Sequence, residues 1–217
     1  MKKQILTLAA TLLVGSAVVL TGCKKEDTNA PTIKLKGDAE MVIYLGDTYT
    51  EPGATATDLD GKDKESDISA NIKISGTVKT TEAAKYEVTY DVTDEAGNTA
   101  TQVKRTVWVK HKNSTVAGTY KTTESCNFGN VAEYNCSITA GTSSNLTITF
   151  SNFGNFNTTI NVPATLSGDL NEKVTLESGV YAGLSMSGTG TIKPDGKTIV
   201  ITYNAGSDSC TATWVKQ

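Results

Sequence analysis

The chain has 217 residues, of which 38% are hydrophobic and 6% aromatic, and it carries a formal net charge of −3. An acidic chain lacks the basic face that nucleic acids require, so the composition argues against nucleic acid as a partner. After about residue 30 there is no long apolar pattern at helical spacing. Short alternating runs separated by Gly, Asn and Asp predict an all-β protein instead.

The first 22 residues predict a cleaved signal peptide. Lys2 and Lys3 precede a short apolar run, Ile5 to Leu20, which has the charge pattern of a secretory signal and is short for a membrane span. The run ends at Leu20-Thr21-Gly22-Cys23, which resembles the bacterial lipobox. This resemblance implies cleavage before Cys23 and acylation of that cysteine, including a palmitoyl chain. The alternative is an ordinary signal peptide followed by a chance cysteine.

Lipidation of Cys23 would make a membrane the first partner of the protein, because two or three acyl chains bind durably at about 0.8 kcal/mol per buried CH₂. Residues 23–30 are polar and charged, which predicts a flexible lipidated tether. In Gram-negative lipoproteins, an aspartate directly after the lipidated cysteine favours retention in the inner membrane. This chain has Lys24 at that position, which favours the outer membrane. Lys25-Glu26-Asp27 resembles a short signal for export to the cell exterior, and the alternative is an ordinary charged tether. The predicted location is therefore the bacterial outer membrane, on either its periplasmic or its external face.

Residues 31–111 predict a first β domain. The clearest strand is 85–93, in which alternate side chains from Tyr86 to Val92 are apolar. Arg105 lies on the same predicted face as Val107 and Val109 and interrupts the alternation of the last strand. The strand-like runs of this domain are 32–36, 41–45, 54–57, 71–75, 85–93 and 99–110.

Two stretches of this domain resemble a bacterial Ig-like family that occurs in secreted and surface proteins and in some crystal toxins. They are Leu45–Asp58, LGDTYTEPGATATD, and Tyr86–Asn98, YEVTYDVTDEAGN. The resemblance implies a β-sandwich that acts as a spacer or adhesion unit and not as a catalyst. Residues 31–111 contain no cysteine, so packing must hold this sandwich together.

Four aspartates in the first domain, Asp58, Asp60, Asp63 and Asp67, form a candidate Ca²⁺ site. Calcium takes six to eight oxygen ligands, which clustered aspartates can supply. Their spacing is not that of an EF-hand. Lys62 also interrupts the acidic stretch of the Ig-like pattern, which weakens the metal hypothesis. The alternative is a solvated loop whose aspartates cap turns.

Residues 115–217 predict a second β domain, because charges become fewer after Lys110–Ser114. That boundary segment is polar, and we expect it to be sensitive to protease. Its many short strands predict a small antiparallel barrel or a second sandwich. Residues 116–120 and 201–203 resemble a calycin-like barrel. The strand-like runs are 117–126, 133–140, 146–151, 158–162, 164–167, 173–177, 184–192, 198–204 and 210–215.

Three cysteines remain after Cys23, and all lie in the second domain. Export to an oxidising compartment favours a disulfide. A closed barrel places its first strand beside its last, which favours Cys126 with Cys210 and leaves Cys136 as a buried thiol. The alternative is Cys126 with Cys136 across a hairpin.

No catalytic residue is predicted, and we expect a protein that is not an enzyme. The single histidine, His111, lies at the predicted boundary, and no G-x-S-x-G motif occurs. Phe128, Phe153 and Phe156 lie in Gly/Asn-rich segments, where aromatic side chains often contact sugars or proteins. The alternative is that these rings plug the ends of the barrel. The sequence thus predicts a lipoprotein that binds a glycan or protein at the cell surface without a cofactor, unless Ca²⁺ is one. The alternatives are a purely structural spacer or envelope protein, and an enzyme accessory or glycan-degrading protein.

Overall fold

The structure is a computed structural model that describes residues 26–127, 129, 131–156 and 160–217. These residues form the all-β architecture that the sequence predicts, with strands in three sheets. None of the helices within the described ranges is long and apolar enough to cross a membrane. Cys23 and Phe128 lie outside the described residues, so the lipidation and contact roles assigned to them remain predictions.

The first domain is a sandwich of two sheets, with strand orders β1-β3-β4 and β2-β7-β6-β5. Strand β2 runs parallel to β7, and the other pairings are antiparallel. The predicted Ig-like sandwich is confirmed. The strands are β1 (Thr32–Leu35), β2 (Glu40–Tyr44), β3 (Ala54–Leu59), β4 (Glu65–Asp67), β5 (Lys73–Ser75), β6 (Ala84–Asp91) and β7 (Val103–Lys110).

Arg105 interrupts the apolar face of β7 because it is a fully buried charge with a dedicated set of acceptors. Its Nε lies 3.1 Å from Glu51 Oε1, and its guanidinium donates to the carbonyls of Lys36 at 2.7 Å and Gly53 at 3.2 Å. Tyr90, in the core, also donates its hydroxyl to Glu51. The Glu-Pro-Gly portion of the Ig-like stretch therefore supplies the partner for Arg105.

The second domain is a closed eight-stranded barrel in the order β12-β11-β10-β9-β8-β16-β15-β14, with β12 paired to β14. Strand β13 pairs with β14 beside the ring. A four-residue helix, α1 (Asn113–Val116), precedes the barrel. The strands are β8 (Gly118–Cys126), β9 (Val131–Ala140), β10 (Thr147–Ser151), β11 (Asn161–Ser167), β12 (Lys173–Leu176), β13 (Gly179–Tyr181), β14 (Leu184–Ile192), β15 (Thr198–Ala205) and β16 (Asp208–Lys216).

Aromatic side chains fill the barrel interior. Phe153 packs between Tyr203 and Trp214, with ring centroids 4.7 and 5.5 Å away, and Phe150 lies 5.4 Å from Trp214. On β14, Gly190 lets the backbone approach β15, because a Cβ there would lie 2.2 Å from the Val200 carbonyl oxygen. The barrel is thus closed by packing around its own side chains.

Strand β11 is continuous through Pro163, where the sequence predicts two shorter strands. The Pro163 carbonyl accepts from the Glu177 amide at 2.8 Å, on the side where β12 has already ended at Leu176. The missing N–H of Pro163 faces the same side, so it removes no bond to β10. The proline is tolerated there as it would be on an edge strand.

The boundary between the domains is partly buried, which argues against the expectation that the Lys110–Ser114 segment is sensitive to protease. His111 is fully buried and Asn113 is 5% exposed. The Asn113 side chain donates to the carbonyls of Gly141 and Ser144, at 2.8 and 2.9 Å. Asn113 therefore occupies a defined position, because its side chain satisfies two carbonyls of the loop between β9 and β10.

Candidate functional site

The four predicted aspartates of the first domain do not form one ligand set. Asp60 Oδ1 accepts from the amides of Lys62 and Lys64, both at 2.9 Å, and these bonds lower the pKa of its carboxyl. Asp67 bonds to Ser69, which likewise lowers its pKa, and Asp63 takes a left-handed φ of 60°. Asp60 and Asp67 therefore cap turns, as the alternative interpretation predicts. Asp58 is separate from them, because its side chain is buried.

Asp58 converges instead with Asp27 and Asp94. One carboxylate oxygen from each lies within 4.8 Å of the other two. Asp94 accepts from the Asn98 amide at 2.8 Å and from its side chain at 2.9 Å. Burial opposes ionisation of Asp94, but the bonds from Asn98 outweigh it and lower the pKa of this carboxyl. We call Asp27, Asp58 and Asp94 the aspartate cluster.

Asp58 is the member of the aspartate cluster that has an unsatisfied buried oxygen. Its side chain is 7% exposed, and its Oδ1 is buried with no hydrogen-bond partner among the described residues. Burial and the negative charges of Asp94 and Asp27 raise the pKa of Asp58. A buried oxygen without a donor is costly, so the arrangement is suited to a bound cation or a proton.

The end of the tether contacts the first domain beside the aspartate cluster. The Asn29 side chain donates to the Leu59 carbonyl at 2.8 Å, and the Asn98 side chain donates to the Asp27 carbonyl at 3.2 Å. Pro31 is buried. The prediction of a flexible tether is therefore wrong for residues 27–30, which dock on the sandwich.

Phe153 and Phe156, the two predicted contact residues that the structure describes, do not form an exposed contact surface. Phe153 is fully buried, and Phe156 packs partly buried against the same core. Both rings come from the segment after β10. The Gly and Asn residues of that segment wrongly indicated that the two phenylalanines are exposed. Phe153 closes the barrel as the alternative interpretation predicts.

A polar network lies beside the disulfide inside the barrel. Glu124 is 6% exposed and accepts from the Tyr134 hydroxyl at 2.7 Å, and that hydroxyl accepts from the Gly154 amide at 3.1 Å. Burial and the nearby Glu124 charge raise the pKa of Tyr134. Cys126 lies near Glu124, but its sulfur is oxidised and cannot act as a thiolate ligand. Sequence reasoning missed this network, whose signal was Glu124 at an inward-facing position.

The predicted disulfide between Cys126 and Cys210 is confirmed. It joins residues that are direct cross-strand partners on the first and last strands, β8 and β16. Cys136 is a free thiol, 2% exposed, and burial raises its pKa to about 11. A thiol with so high a pKa stays protonated and is a poor nucleophile.

Two concave surfaces of the barrel lie on either side of β12, and we call them the β12 grooves. Their volumes are about 380 and 480 Å³, and they share Thr175 and Leu176. Most of their polar lining is hydroxyl groups, and Glu177 is the one charged residue among the lining residues. The first groove presents Thr175, Ser178, Ser187, Thr189, Thr202 and Asn204, and the second presents Thr142, Ser143, Thr147, Thr149, Thr165 and Glu177.

The β12 grooves lie on a row of threonines that crosses the outer wall of the barrel. The row is in register over six neighbouring strands, and each threonine alternates with an inward-facing residue. Adjacent strands lie about 4.8 Å apart, so the row presents evenly spaced hydroxyl groups. Its members are Thr147, Thr165, Thr175, Thr189, Thr202 and Thr211.

Comparison with known families matches one part of the chain. Residues 33–109 match the family described as bacterial surface protein, Ig-like domain. No curated protein sequence matches the chain.

Comparison with solved structures finds likenesses at low sequence identity. A lipoprotein from Bacteroides thetaiotaomicron is 20% identical, with 86% of this chain and 100% of that chain covered and a TM-score of 0.39. A redesigned β-barrel is 12% identical, with 50% of this chain and 96% of that chain covered and a TM-score of 0.38. A Clostridium perfringens structure of a carbohydrate-binding module in complex with GlcNAc, with adjoining domains, is 14% identical, with 86% and 44% covered and a TM-score of 0.29.

The match to the family and the two-sheet sandwich cover the same stretch of sequence. Residues 33–109 therefore match an Ig-like domain of bacterial surface proteins and fold as a two-sheet sandwich, and an eight-stranded β-barrel follows in the same chain.

Proposed function

We propose that this protein is a lipid-anchored component of the bacterial cell envelope that binds a neutral glycan on the outer wall of its barrel and catalyses no reaction. An Ig-like domain of a surface-protein family supports an envelope location. The signal-like segment that ends at Cys23 supports the lipid anchor, and Lys24 favours the outer membrane. The lipidated cysteine and the barrel would then lie at opposite ends of the mature sequence.

The observation that carries the binding proposal is the contrast between the inside and the outside of the barrel. Phe150, Phe153 and Trp214 occupy the interior, so a ligand has to bind outside. The β12 grooves supply concave surface there, with hydroxyl groups from several strands. Each hydroxyl can donate one hydrogen bond and accept two, which suits the alternating donors and acceptors of a sugar.

The sparse charge of the β12 grooves indicates the class of glycan. Glu177 is the one charged lining residue, and it is acidic. A groove that lacks basic side chains gives no compensation for sulfate or carboxylate groups, so a neutral polysaccharide fits better than an anionic one. Shallow polar grooves make weak single contacts, and many anchored copies on one membrane would raise the avidity.

The experiment is a glycan array probed with the full chain in detergent micelles, alongside the matched variants Thr175→Arg and Thr123→Arg. Both threonines are exposed on the barrel wall, and only Thr175 lines the β12 grooves. Because an arginine at position 175 obstructs both grooves, we expect at least about a 10-fold loss of signal, equivalent to about 1.4 kcal/mol. Thr123→Arg should bind as the wild type does. Absence of wild-type binding to neutral glycans, or equal binding by both variants, would contradict the proposal.

A structural spacer is the second candidate, and the packed domain boundary favours it. The Ala83 amide donates to the Pro194 carbonyl at 2.7 Å, which ties the first domain to a barrel loop. Lys112 Nζ lies 3.3 Å from Asp47 Oδ1 beside this contact. A fixed boundary of this kind holds the barrel at a defined orientation. The glycan array separates the candidates, because a spacer alone binds no glycan.

A further inference from the structure

We propose that the aspartate cluster binds a Ca²⁺ ion and thereby fixes the N-terminal tether to the Ig-like domain. The ligands come from three separate segments: Asp27 from the tether, Asp58 from β3, and Asp94 from the turn that follows β6. Their carboxylate oxygens lie within 4.8 Å of one another. This site replaces the set of loop aspartates that the sequence suggested, and it does not depend on glycan binding.

The unpartnered oxygen of Asp58 is the independent sign of a ligand. Asp58 Oδ1 is buried with no donor among the described residues, and a carboxylate oxygen of Asp58 lies within 4.8 Å of carboxylate oxygens of Asp27 and Asp94. No lysine or arginine within the described ranges forms an ion pair with any of the three. A carboxylate that is buried beside two others needs a cation or a proton to offset the repulsion.

Asn29 and Asn98 hold the aspartate cluster in place without neutralising it. Asn98 donates to both carboxylate oxygens of Asp94 and to the carbonyl of Asp27. The Asn29 amide donates to Asp27 Oδ1 at 3.0 Å. Amide donors orient the carboxylates but carry no charge, so the negative charge remains available to an ion. This is the kind of outer support that orients metal ligands in proteins.

The donor chemistry favours calcium over other metals. The aspartate cluster offers oxygen alone, and thiolate and imidazole donors, which transition metals prefer, are absent from it. Magnesium dehydrates reluctantly and keeps several waters, which suits a buried carboxylate poorly. Calcium accepts irregular geometry and completes its shell with carbonyls and water. Extracellular calcium modules have dissociation constants of about 10⁻⁴ to 10⁻³ M, and we expect a value in that range here.

A bound ion would set the distance between the Ig-like domain and the membrane. Asp27 follows Cys23 closely in sequence, and an extended chain spans at most about 3.6 Å per residue. If Cys23 is lipidated, the calcium-bound domain would stay within about 15 Å of the anchor. Without calcium the repulsion among the carboxylates would favour release of the tether. Calcium binding would therefore hold the tether against the Ig-like domain.

The test is calorimetric titration of CaCl₂ into the full chain in detergent after EDTA treatment and dialysis, with MgCl₂ titrated in parallel. We expect one Ca²⁺ ion per chain and binding at least about 10-fold weaker for Mg²⁺. Asp27→Asn and Asp94→Asn should each weaken Ca²⁺ binding by at least about 10-fold, because affinity follows the number of charged ligands. The matched control is Glu95→Gln, which removes an exposed charge next to Asp94 and should leave binding unchanged.

Hydrogen exchange on the same samples reports the tether separately. Calcium should slow amide exchange at residues 28–30 in the wild type and in Glu95→Gln, but not in Asp27→Asn. Asp27 lies outside the strands of the sandwich, so its substitution leaves the domain folded. The proposal is overturned if the wild type binds no calcium, if calcium leaves tether exchange unchanged, or if Glu95→Gln weakens binding as much as Asp94→Asn does.

Discussion

The two domains of this protein differ in how they satisfy their buried polar side chains. The Ig-like domain buries charge: Arg105 is fully buried and pairs with Glu51, whose side chain is 22% exposed, and Asp58 is buried with no donor to its Oδ1 among the described residues. The barrel buries an acid too, but Glu124 is hydrogen-bonded to Tyr134. The Ig-like core is built largely from alanine and valine with one tyrosine, whereas aromatic rings fill the barrel.

This difference indicates what holds each domain together. Small apolar side chains bury little area, so the Ig-like domain relies on the Arg105 network to connect its two sheets. Burial raises the pKa of Glu51, but hydrogen bonds from Tyr49 and Tyr90 and the Arg105 charge outweigh it, so the net pKa is lowered and the pair stays ionised. The barrel relies on aromatic packing and on a disulfide that joins residues 84 positions apart. Two domains of one chain thus reach stability by different routes.

The largest expected effect comes from breaking the buried ion pair. Arg105→Met should destabilise the Ig-like domain by about 3–5 kcal/mol, because it removes the positive charge that pairs with Glu51 and leaves the carbonyls of Lys36 and Gly53 without their Arg105 donor. The measurement is urea unfolding of the full chain, followed by hydrogen-exchange mass spectrometry on peptides from each domain. Peptides of the barrel should keep the wild-type midpoint.

The matched control for Arg105→Met is Lys104→Met on the same strand. Lys104 forms an ion pair with Glu87 at 3.1 Å, but the side chains are 54% and 48% exposed. Exposed pairs contribute at most about 1 kcal/mol, so this variant should unfold close to the wild type. Equal losses for the two variants would show that the buried network has no special role in the Ig-like domain.

The next largest effect is expected in the barrel. Replacing Cys126 and Cys210 together by alanine should destabilise the barrel by about 2–4 kcal/mol, because the unfolded chain regains the freedom that the bridge removes. The Ig-like peptides should be unaffected. In the wild type, Cys136 should be alkylated only after unfolding, since its buried thiol has a pKa of about 11. Rapid alkylation of Cys136 in the folded protein would contradict the packed interior.

The features that follow from local alternation could be predicted from the sequence. Strand periodicity predicted an all-β chain, the resemblance to the Ig-like family predicted the sandwich, and the many short strands of the second domain predicted a small barrel or a second sandwich. The inward position of Cys210 together with barrel closure predicted its pairing with Cys126. Arg105 was visible as a break in the alternation of its strand. Its partner Glu51 was not, because nothing local connects a loop glutamate to a distant strand.

The aspartate cluster and the burial of Phe153 could not be predicted from local alternation in the sequence. Asp27, Asp58 and Asp94 are widely separated in sequence, and only the folded sandwich brings them together. The sequence indicated a metal site at neighbouring aspartates of one loop. In the structure, Asp60 and Asp67 accept hydrogen bonds from nearby backbone amides instead. Phe153 lies in a segment without period, where the sequence does not indicate the direction of a side chain.

The smallest expected effect tests the boundary between the two domains through His111. This ring is fully buried, and neither of its nitrogens has a hydrogen-bond partner among the described residues. Burial lowers the pKa of His111, although the negative charges of Glu172 and Asp195 oppose the shift. A folded-state pKa below the unfolded value of about 6.5 means that the unfolded chain takes up the proton more readily. The contribution of neutral His111 is therefore fully present above pH 6.5 and is lost as the pH falls.

His111→Leu should remove this part of the acid sensitivity, because leucine is apolar and cannot be protonated. We expect the difference in urea midpoint between pH 7.5 and pH 5.5 to be smaller for His111→Leu than for the wild type. The change should appear in barrel peptides near the boundary, because the His111 amide donates to the Leu170 carbonyl at 2.9 Å and its carbonyl accepts from Asn171 at 2.7 Å. If the two proteins respond equally to pH, acid acts on carboxylates elsewhere and the boundary does not couple the domains through this ring.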